Sequence, residues 1–436
     1  MRYEEKERLN HQTQKKYLTL RFKNGCKAFW EKTSCKVILF AFYPLPILIW
    51  FLFKNHLGLE DIPLVSPVLF ALVDLLLPVL LIGGTLAILI LFGTPFGFDR
   101  TANELRRIGM TNSVGEVPML LTRTRDKKHE HVEIFEFDTV GIPLTDWEKC
   151  RGHIEAALNV NIVKITEGRN KRRILLHVVS AGRGMPDFLE WNDKYLTEDD
   201  STLVLGESQT GLVKVDLSKI PHVLLGGSTG SGKSILLKVL LVQSLKKDAK
   251  VSIADFKGGV DFPRAWHDKC RMCFDEDTLL TILTELTEEL ERRKTVFREE
   301  GCANLNEYNK HSAVPLKRHI FACDEVAEVL DKTGMTKEQK ERIGLIENRL
   351  SIIARQGRAF GIHLILATQR PDANILSGQI RNNINCRICG RADTILSQII
   401  LDNTSAAEQI PKDIAGRFID HNGTVFQGFW IDERSL

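Results

Sequence analysis

The stretch HVLLGGSTGSGKSILLKVLLVQSL, residues 222–245, decides how the chain folds. It opens as a short apolar run suited to a buried strand and closes as an apolar segment of helix length. Between the two, Gly227, Gly232, Lys233 and Ser234 satisfy the spacing GxxxxGKS. Glycines there let successive backbone N–H groups converge on an anion at a helix N-terminus. Phosphates are the anions that such a loop fits. Gly227, Ser228, Thr229, Gly230, Ser231 and Gly232 would cradle them, Lys233 would reach the β- and γ-phosphates, and the Ser234 hydroxyl would hold Mg²⁺. The segment therefore reads as an ATP site.

Working outward, apolar strands alternate with amphipathic helices. KVSIADF (250–256) is strand-like, and Leu279, Leu283, Leu286, Leu290 and Phe297 mark one face of a helix. HIFACDE (319–325) follows, then a helix with Ile343, Ile346, Leu350 and Ile353 on one side, then GIHLILA (361–367) and CRICGR (386–391). FIDHNGTVFQGFWI (418–431) reads as a hairpin turning at Asn422-Gly423. Such alternation predicts an α/β domain with a mostly parallel sheet over 201–436. HIFACDE would deliver Asp324 to a water-mediated Mg²⁺ contact and Glu325 to the attacking water as a base. ATQRPD (367–372) ends the next strand with unusual polarity. Ligands of parallel sheets sit beyond the carboxyl ends of strands, so Gln369 would face the γ-phosphate. Pro371 would stop the strand, while Thr368 and Arg370 are open between structural and coupling roles.

The first hundred residues differ in kind. VILFAFYPLPILIWFLF (37–53) carries no charge, and the run from Leu64 to Gly93 carries one, Asp74. Both suit membrane spans, and Pro44, Pro46, Pro67 and Pro78 are better tolerated there than in buried soluble helices. A cleaved signal peptide is not expected, because the first apolar run begins late and no small-residue cleavage site follows it. Residues 1–36 hold ten Lys/Arg against four Glu, and Arg100, Arg106 and Arg107 follow the second run. The hairpin 37–93 would therefore lie in the cell membrane with both termini cytoplasmic. Asp74 would either face a helix neighbour, in an oligomer or a partner, or sit close enough to the interface to be wetted. Alternating runs such as HVEIFEF and RILLHVVS predict a small β-rich region over 100–200, with RNKRR (169–173) as a solvated turn or a DNA contact.

Composition adds bounds. With 43% apolar residues, 26% charged residues and a net charge of +3, no global charge excess demands a nucleic-acid partner. Nine cysteines scattered through core segments argue against a disulfide framework. The two CxxC pairs, Cys270/Cys273 and Cys386/Cys389, lie on or beside strands, where i and i+3 point to opposite faces and suit a metal poorly.

The segments IPHVLLGGSTGSGKS (220–234), VSIADFKGG (251–259), HIFACDE and ARQGRAFGIHLILATQRPDANILSGQIRNNINCRI (354–388) resemble, in order and spacing, the motor domain of the FtsK/SpoIIIE DNA translocases. These belong to the wider HerA–FtsK group of RecA-like pumps. The resemblance covers about residues 200–432. It implies a RecA-like P-loop NTPase acting as a homo-hexamer, with ATP and Mg²⁺ between subunits and DNA, single- or double-stranded, in the central channel. Lys233, Ser234, Asp324, Glu325 and Gln369 match the family's site. A neighbour's arginine also belongs to it, with Arg358, Arg387 and Arg391 as candidates and Arg387 preferred. Loops near Lys257 and Arg381 would face the channel, or simply be solvated. Chromosome-segregation members carry more spans and a C-terminal winged-helix reader, and this sequence ends at Leu436 after the motor's last strands. The layout resembles the FtsK-like coupling ATPases of Gram-positive conjugative elements, which link relaxase-bound DNA to a membrane channel. The alternatives are a chromosome translocase, a type VII protein-secretion ATPase (against which stands the single P-loop) and a nucleotide-binding scaffold.

Overall fold

The computed structural model describes residues 3–56, 66–127, 129–369 and 377–433. Residues 57–65, which hold most of the linker between the apolar runs, and Arg370 and Pro371 lie outside the described residues. Contacts divide the chain into two units, Met1–Arg183 and Gly184–Leu436.

In the first unit, the helix Tyr3–Glu31 is followed by helices Thr33–Phe42 and Pro44–His56. The break before Pro44 falls where an imino acid withholds its N–H from the helix ladder. A longer helix, Ser66–Gly93, carries Pro78 inside it. Two segments of 20 residues, Thr33–Leu52 and Asp74–Gly93, have mean hydropathies of 2.0 and 2.8. At 1.5 Å per residue, each is long enough for a hydrocarbon core of about 30 Å. The indole of Trp50 donates to Asp74 Oδ1 at 2.9 Å, so Asp74 has its helix neighbour within the hairpin itself. Tyr43 Oη, at the break before Pro44, stands 3.0 Å from Thr85 Oγ1 of the long helix.

The N-terminal helix also packs on the long apolar helix, and glycine permits the approach. A Cβ on Gly25 would meet the Leu89 carbonyl oxygen at 1.9 Å, and one on Gly93 would meet the Arg21 carbonyl oxygen at 1.8 Å. Beyond the helices stand four antiparallel strands: β1 (Met119–Arg125), β2 (Glu133–Asp138), β3 (Val160–Glu167) and β4 (Arg173–Ser180), in the order β1-β2-β4-β3. Their core centres on Phe137, Trp147, Ile154 and Leu176, all fully buried. RNKRR forms the turn joining β3 to β4.

The second unit is built on ten strands. They are β5 (Thr202–Ser208), β6 (Gly211–Asp216), β7 (Val223–Gly226), β8 (Lys250–Ala254), β9 (Arg271–Cys273), β10 (His319–Cys323), β11 (Ile362–Thr368), β12 (Cys386–Cys389), β13 (Arg417–Asp420) and β14 (Val425–Gly428). Their order is β6-β5-β14-β13-β12-β7-β11-β10-β8-β9. From β12 to β9 every pairing is parallel, and antiparallel strands extend the other edge. Side chains alternate across the sheet with period two. Ile362, Leu364 and Leu366 face helices Glu276–Glu299 and Lys337–Phe360, while Ile365 and Ala367 face helix Lys233–Lys246. The residues expected on both long helix faces are all buried.

One detail differs from the sequence reading, and two others add to it. Residues 184–200 sit with the larger unit, because Trp191 and Tyr195 pack on Phe429 with ring centroids 5.4 and 4.6 Å apart. The last hairpin turns from Asp420, whose carboxylate accepts the Asn422 and Thr424 N–H groups, and the left-handed residue is Gly423 alone, at φ +83°. Both CxxC pairs straddle the sheet, with Cys386 and Cys270 on one face and Cys389 and Cys273 on the other. Burial pushes Cys386 and Cys389 up to about 12. Thiols held protonated are poor metal ligands.

The glycine contacts give a stability test. Gly25→Ala places a methyl group against a backbone oxygen and should destabilise the detergent-solubilised protein by about 1–3 kcal/mol. Gly83→Ala, which meets nothing within 4 Å in the same hairpin, should be neutral or mildly stabilising. Thermal unfolding of both variants checks this, and equal effects would refute the packing.

Candidate active site

Parallel register sets the site. β10 and β11 pair with Cys323 opposite Leu366, and β11 and β7 pair with Thr368 opposite Gly226. The carboxyl ends of the three central strands therefore reach one edge together. Here the loop from Gly226 enters helix Lys233–Lys246, Asp324 and Glu325 leave β10, and Gln369 follows β11.

The loop bends only because its glycines allow it. Gly227, Gly230 and Gly232 have φ of +155°, +75° and +93°, where side-chain-bearing residues are strained. A Cβ on Gly227 would also stand 2.4 Å from Ser231 Oγ. Arg391 holds the loop from β12's end: its guanidinium donates to Thr229 O at 2.8 Å, and its own carbonyl accepts the Ser228 N–H at 2.7 Å.

Asp324 is the electrostatic centre. Lys233 Nζ donates to its Oδ1 at 3.1 Å and to its carbonyl at 2.5 Å, and Ser234 Oγ donates to Oδ1 at 2.8 Å. Lys257 Nζ reaches Oδ2 at 3.3 Å. Burial alone would raise the Asp324 carboxyl, but Lys233, the Ser234 hydroxyl and Lys257 together hold it below the ordinary carboxylate range. Glu325, 4% exposed, accepts the Thr368 hydroxyl at 2.7 Å and the Gln369 backbone N–H at 2.9 Å, one on each oxygen. The Gln369 side-chain oxygen accepts Thr229 Oγ1 at 3.0 Å. Lys233, Ser234, Asp324, Glu325 and Gln369 are thus brought together.

The residues fit a nucleoside triphosphate with its divalent ion. Ser231 Oγ is buried without a hydrogen-bond partner among the described residues, inside the glycine-rich loop. Ser234 Oγ and Asp324 Oδ1 converge as hard oxygen ligands of the kind Mg²⁺ takes.

Arg387 lies elsewhere. All three of its guanidinium nitrogens are engaged within the chain, by Ile384 O, Arg381 O and Asp402 Oδ2. Arg391, another candidate for a neighbour's site, braces its own phosphate loop. Arg358 donates to Ser218 O at 3.2 Å. The sequence reading missed Thr368 as the group that orients Glu325, and the one available signal was a hydroxyl directly before Gln369. It also missed Arg391 as a brace and Lys257 as a partner of Asp324. Arg391→Ala should weaken ATPγS binding by about tenfold, since a charge-assisted hydrogen bond contributes about 1.5–3 kcal/mol. Arg387→Ala should lower thermal stability and leave that affinity unchanged. Fluorescence titration with ATPγS separates the two, and the reverse pattern would refute these assignments.

The FtsK/SpoIIIE family profile matches residues 192–343. The DNA translocase FtsK of Treponema pallidum is 29% identical over 368 residues, which cover 78% of this chain and 44% of that protein. The DNA translocase FtsK of Chlorobaculum tepidum is 31% identical over 226 residues, covering 48% of this chain and 27% of the relative. The chain spans less than half the length of the curated relatives it matches. Among solved structures, the pCW3 conjugation coupling protein TcpA, in its monomer form with ATPγS, is 34% identical with a TM-score of 0.58. That match covers 77% of this chain and 96% of TcpA. A relative followed over nearly its whole length, on a sheet whose phosphate loop and acidic strand stand two places apart, settles the assignment: the chain belongs to the FtsK/SpoIIIE family.

Proposed function

We propose that the chain is a membrane-anchored, ATP-driven DNA translocase that serves as a conjugative coupling protein, feeding relaxase-bound DNA to a membrane channel. The observation that carries this reading is the likeness to a conjugation coupling protein over 96% of that protein's solved chain. The apolar hairpin would tether the motor, with both termini cytoplasmic by the balance of basic residues. The β-rich segment that follows would dock partners or aid assembly, and residues 201–436 would form the motor within a homo-hexamer around DNA.

When bound, ATP and Mg²⁺ supply a polarised γ-phosphoryl group. The chain's own residues position the rest. Lys233, now on Asp324, would turn to phosphate oxygens, and Ser234 with Asp324 would hold the ion. Each Glu325 oxygen carries one fixed donor, leaving a lone pair on each for the attacking water, whose proton it takes. Gln369 stands over the phosphate loop at Thr229, where its amide can orient that water and register loss of the phosphate.

Lys233→Ala should abolish ATP turnover and DNA transfer while membrane insertion persists, and transfer that continues would overturn the motor reading. Glu325→Gln should bind ATP yet hydrolyse it about 10²–10⁴ times more slowly. An unchanged single-turnover rate would remove Glu325 as the base. DNA binding should weaken steeply between low and physiological salt, because phosphate contacts release counterions. Filter binding across a salt series checks this, and a flat response would favour a protein substrate.

A further inference from the structure

Lys257 sits where the phosphate-site reading assigns it no task. It follows β8 on a turn, and its ammonium lies 2.7 Å from Asp261 Oδ2 and 3.3 Å from Asp324 Oδ2. Its backbone N–H donates to Asp255 Oδ1 at 3.0 Å. Next along the chain, Gly258 and Gly259 take φ of +75° and +83°, and Val260 at the tip is 79% exposed. Phe256 and the buried Phe262 anchor the two ends of this turn in the core, and the Lys257 side chain ties its middle to Asp324.

The Asp324 carboxylate divides its partners. Oδ1 receives Lys233 and Ser234, and Oδ2 receives Lys257. A divalent ion taking Ser234 and Asp324 brings two positive charges to a carboxylate already carrying two ammonium groups. Lys233 can leave for the phosphates that arrive with the ion. Among the described residues, Lys257 has one alternative acid, Asp261, which is already its nearer partner. Ion and Lys257 therefore compete for Asp324, and Asp261 decides where Lys257 goes.

We infer that Lys257 is a displaceable clamp on Asp324: loading of the divalent ion transfers Lys257 to Asp261 alone, and the Gly258–Gly259 turn is released with it. Lys257 is then a positioning residue that couples occupancy of the cation position to a surface turn. The inference rests on the proposed reading of Ser234 and Asp324 as the Mg²⁺ position. Coupling of this kind is reciprocal. Whatever removes the clamp must tighten the ion, and whatever strands the clamp on Asp324 must loosen it.

The test uses the full chain in detergent micelles with ATPγS, with Mg²⁺ or with EDTA. Amide exchange of residues 256–262 should run about fivefold faster with Mg²⁺ in the wild type, the size expected if the clamp holds the turn by about 1 kcal/mol. In Lys257→Gln it should be fast under both conditions. The Mg²⁺ half-saturation of ATPγS binding should fall about tenfold in Lys257→Gln and rise in Asp261→Asn. General disruption would move both variants the same way, and a pure charge effect would leave the exchange of the turn unaltered. No Mg²⁺-dependent exchange in the wild type, or a wild-type Mg²⁺ response in Lys257→Gln, would overturn the clamp while leaving the nucleotide site standing. Failure of ATPγS to bind the wild type would overturn the nucleotide reading itself.

Discussion

Everything at the candidate site hangs on one buried ion pair, Lys233 with Asp324, whose side chains are 7% and 3% exposed. Two charges out of water are costly, and they are retained only where geometry and further hydrogen bonds satisfy them. Here the Ser234 hydroxyl, the Asp324 carbonyl and Lys257 supply those bonds. The pair also joins the first turn of the helix after β7 to the end of β10, with β11 between them. That β11 should separate the two is what lets Thr368 and Gln369 reach Glu325. Parallel register brings three strand ends to one edge, and the ion pair fixes what projects from them.

Strain is concentrated where that pair is loaded. Three glycines of the phosphate loop hold left-handed backbone, and Arg391 braces the same loop from β12. A loop this constrained is preorganised for an anion, so less ordering has to occur when a phosphate arrives. The small unit and the apolar hairpin obey different rules. Glycine serves close helix contact at Gly25 and Gly93, and the acid in the apolar helix is answered by an indole.

Much of this was legible in the sequence because its signals are local. Glycine spacing marks the phosphate loop, apolar alternation marks β10 and β11, and leucine spacing marks the helix faces. Lys233 followed from that glycine spacing, and the places of Asp324 and Gln369 from strand ends. Long-range contacts were not legible. Asp402 and two carbonyls bind Arg387 within the chain, and no spacing within CRICGR announces that. Lys257 resembled a surface cation, but one of its partners, Asp324, follows β10, many residues away and adjacent only in the folded sheet. The division at Arg183 escaped notice for the same reason: Trp191 finds Phe429 only once β14 is in place.

On the proposed function, nucleotide turnover at Lys233 and Glu325 moves DNA. The most direct measurement is the ATPase rate of the purified 436-residue chain, with and without DNA. DNA should raise the rate well above the basal level, with no stimulation when Lys233→Ala replaces the wild type. A rate indifferent to DNA but raised by a protein substrate would contradict the account.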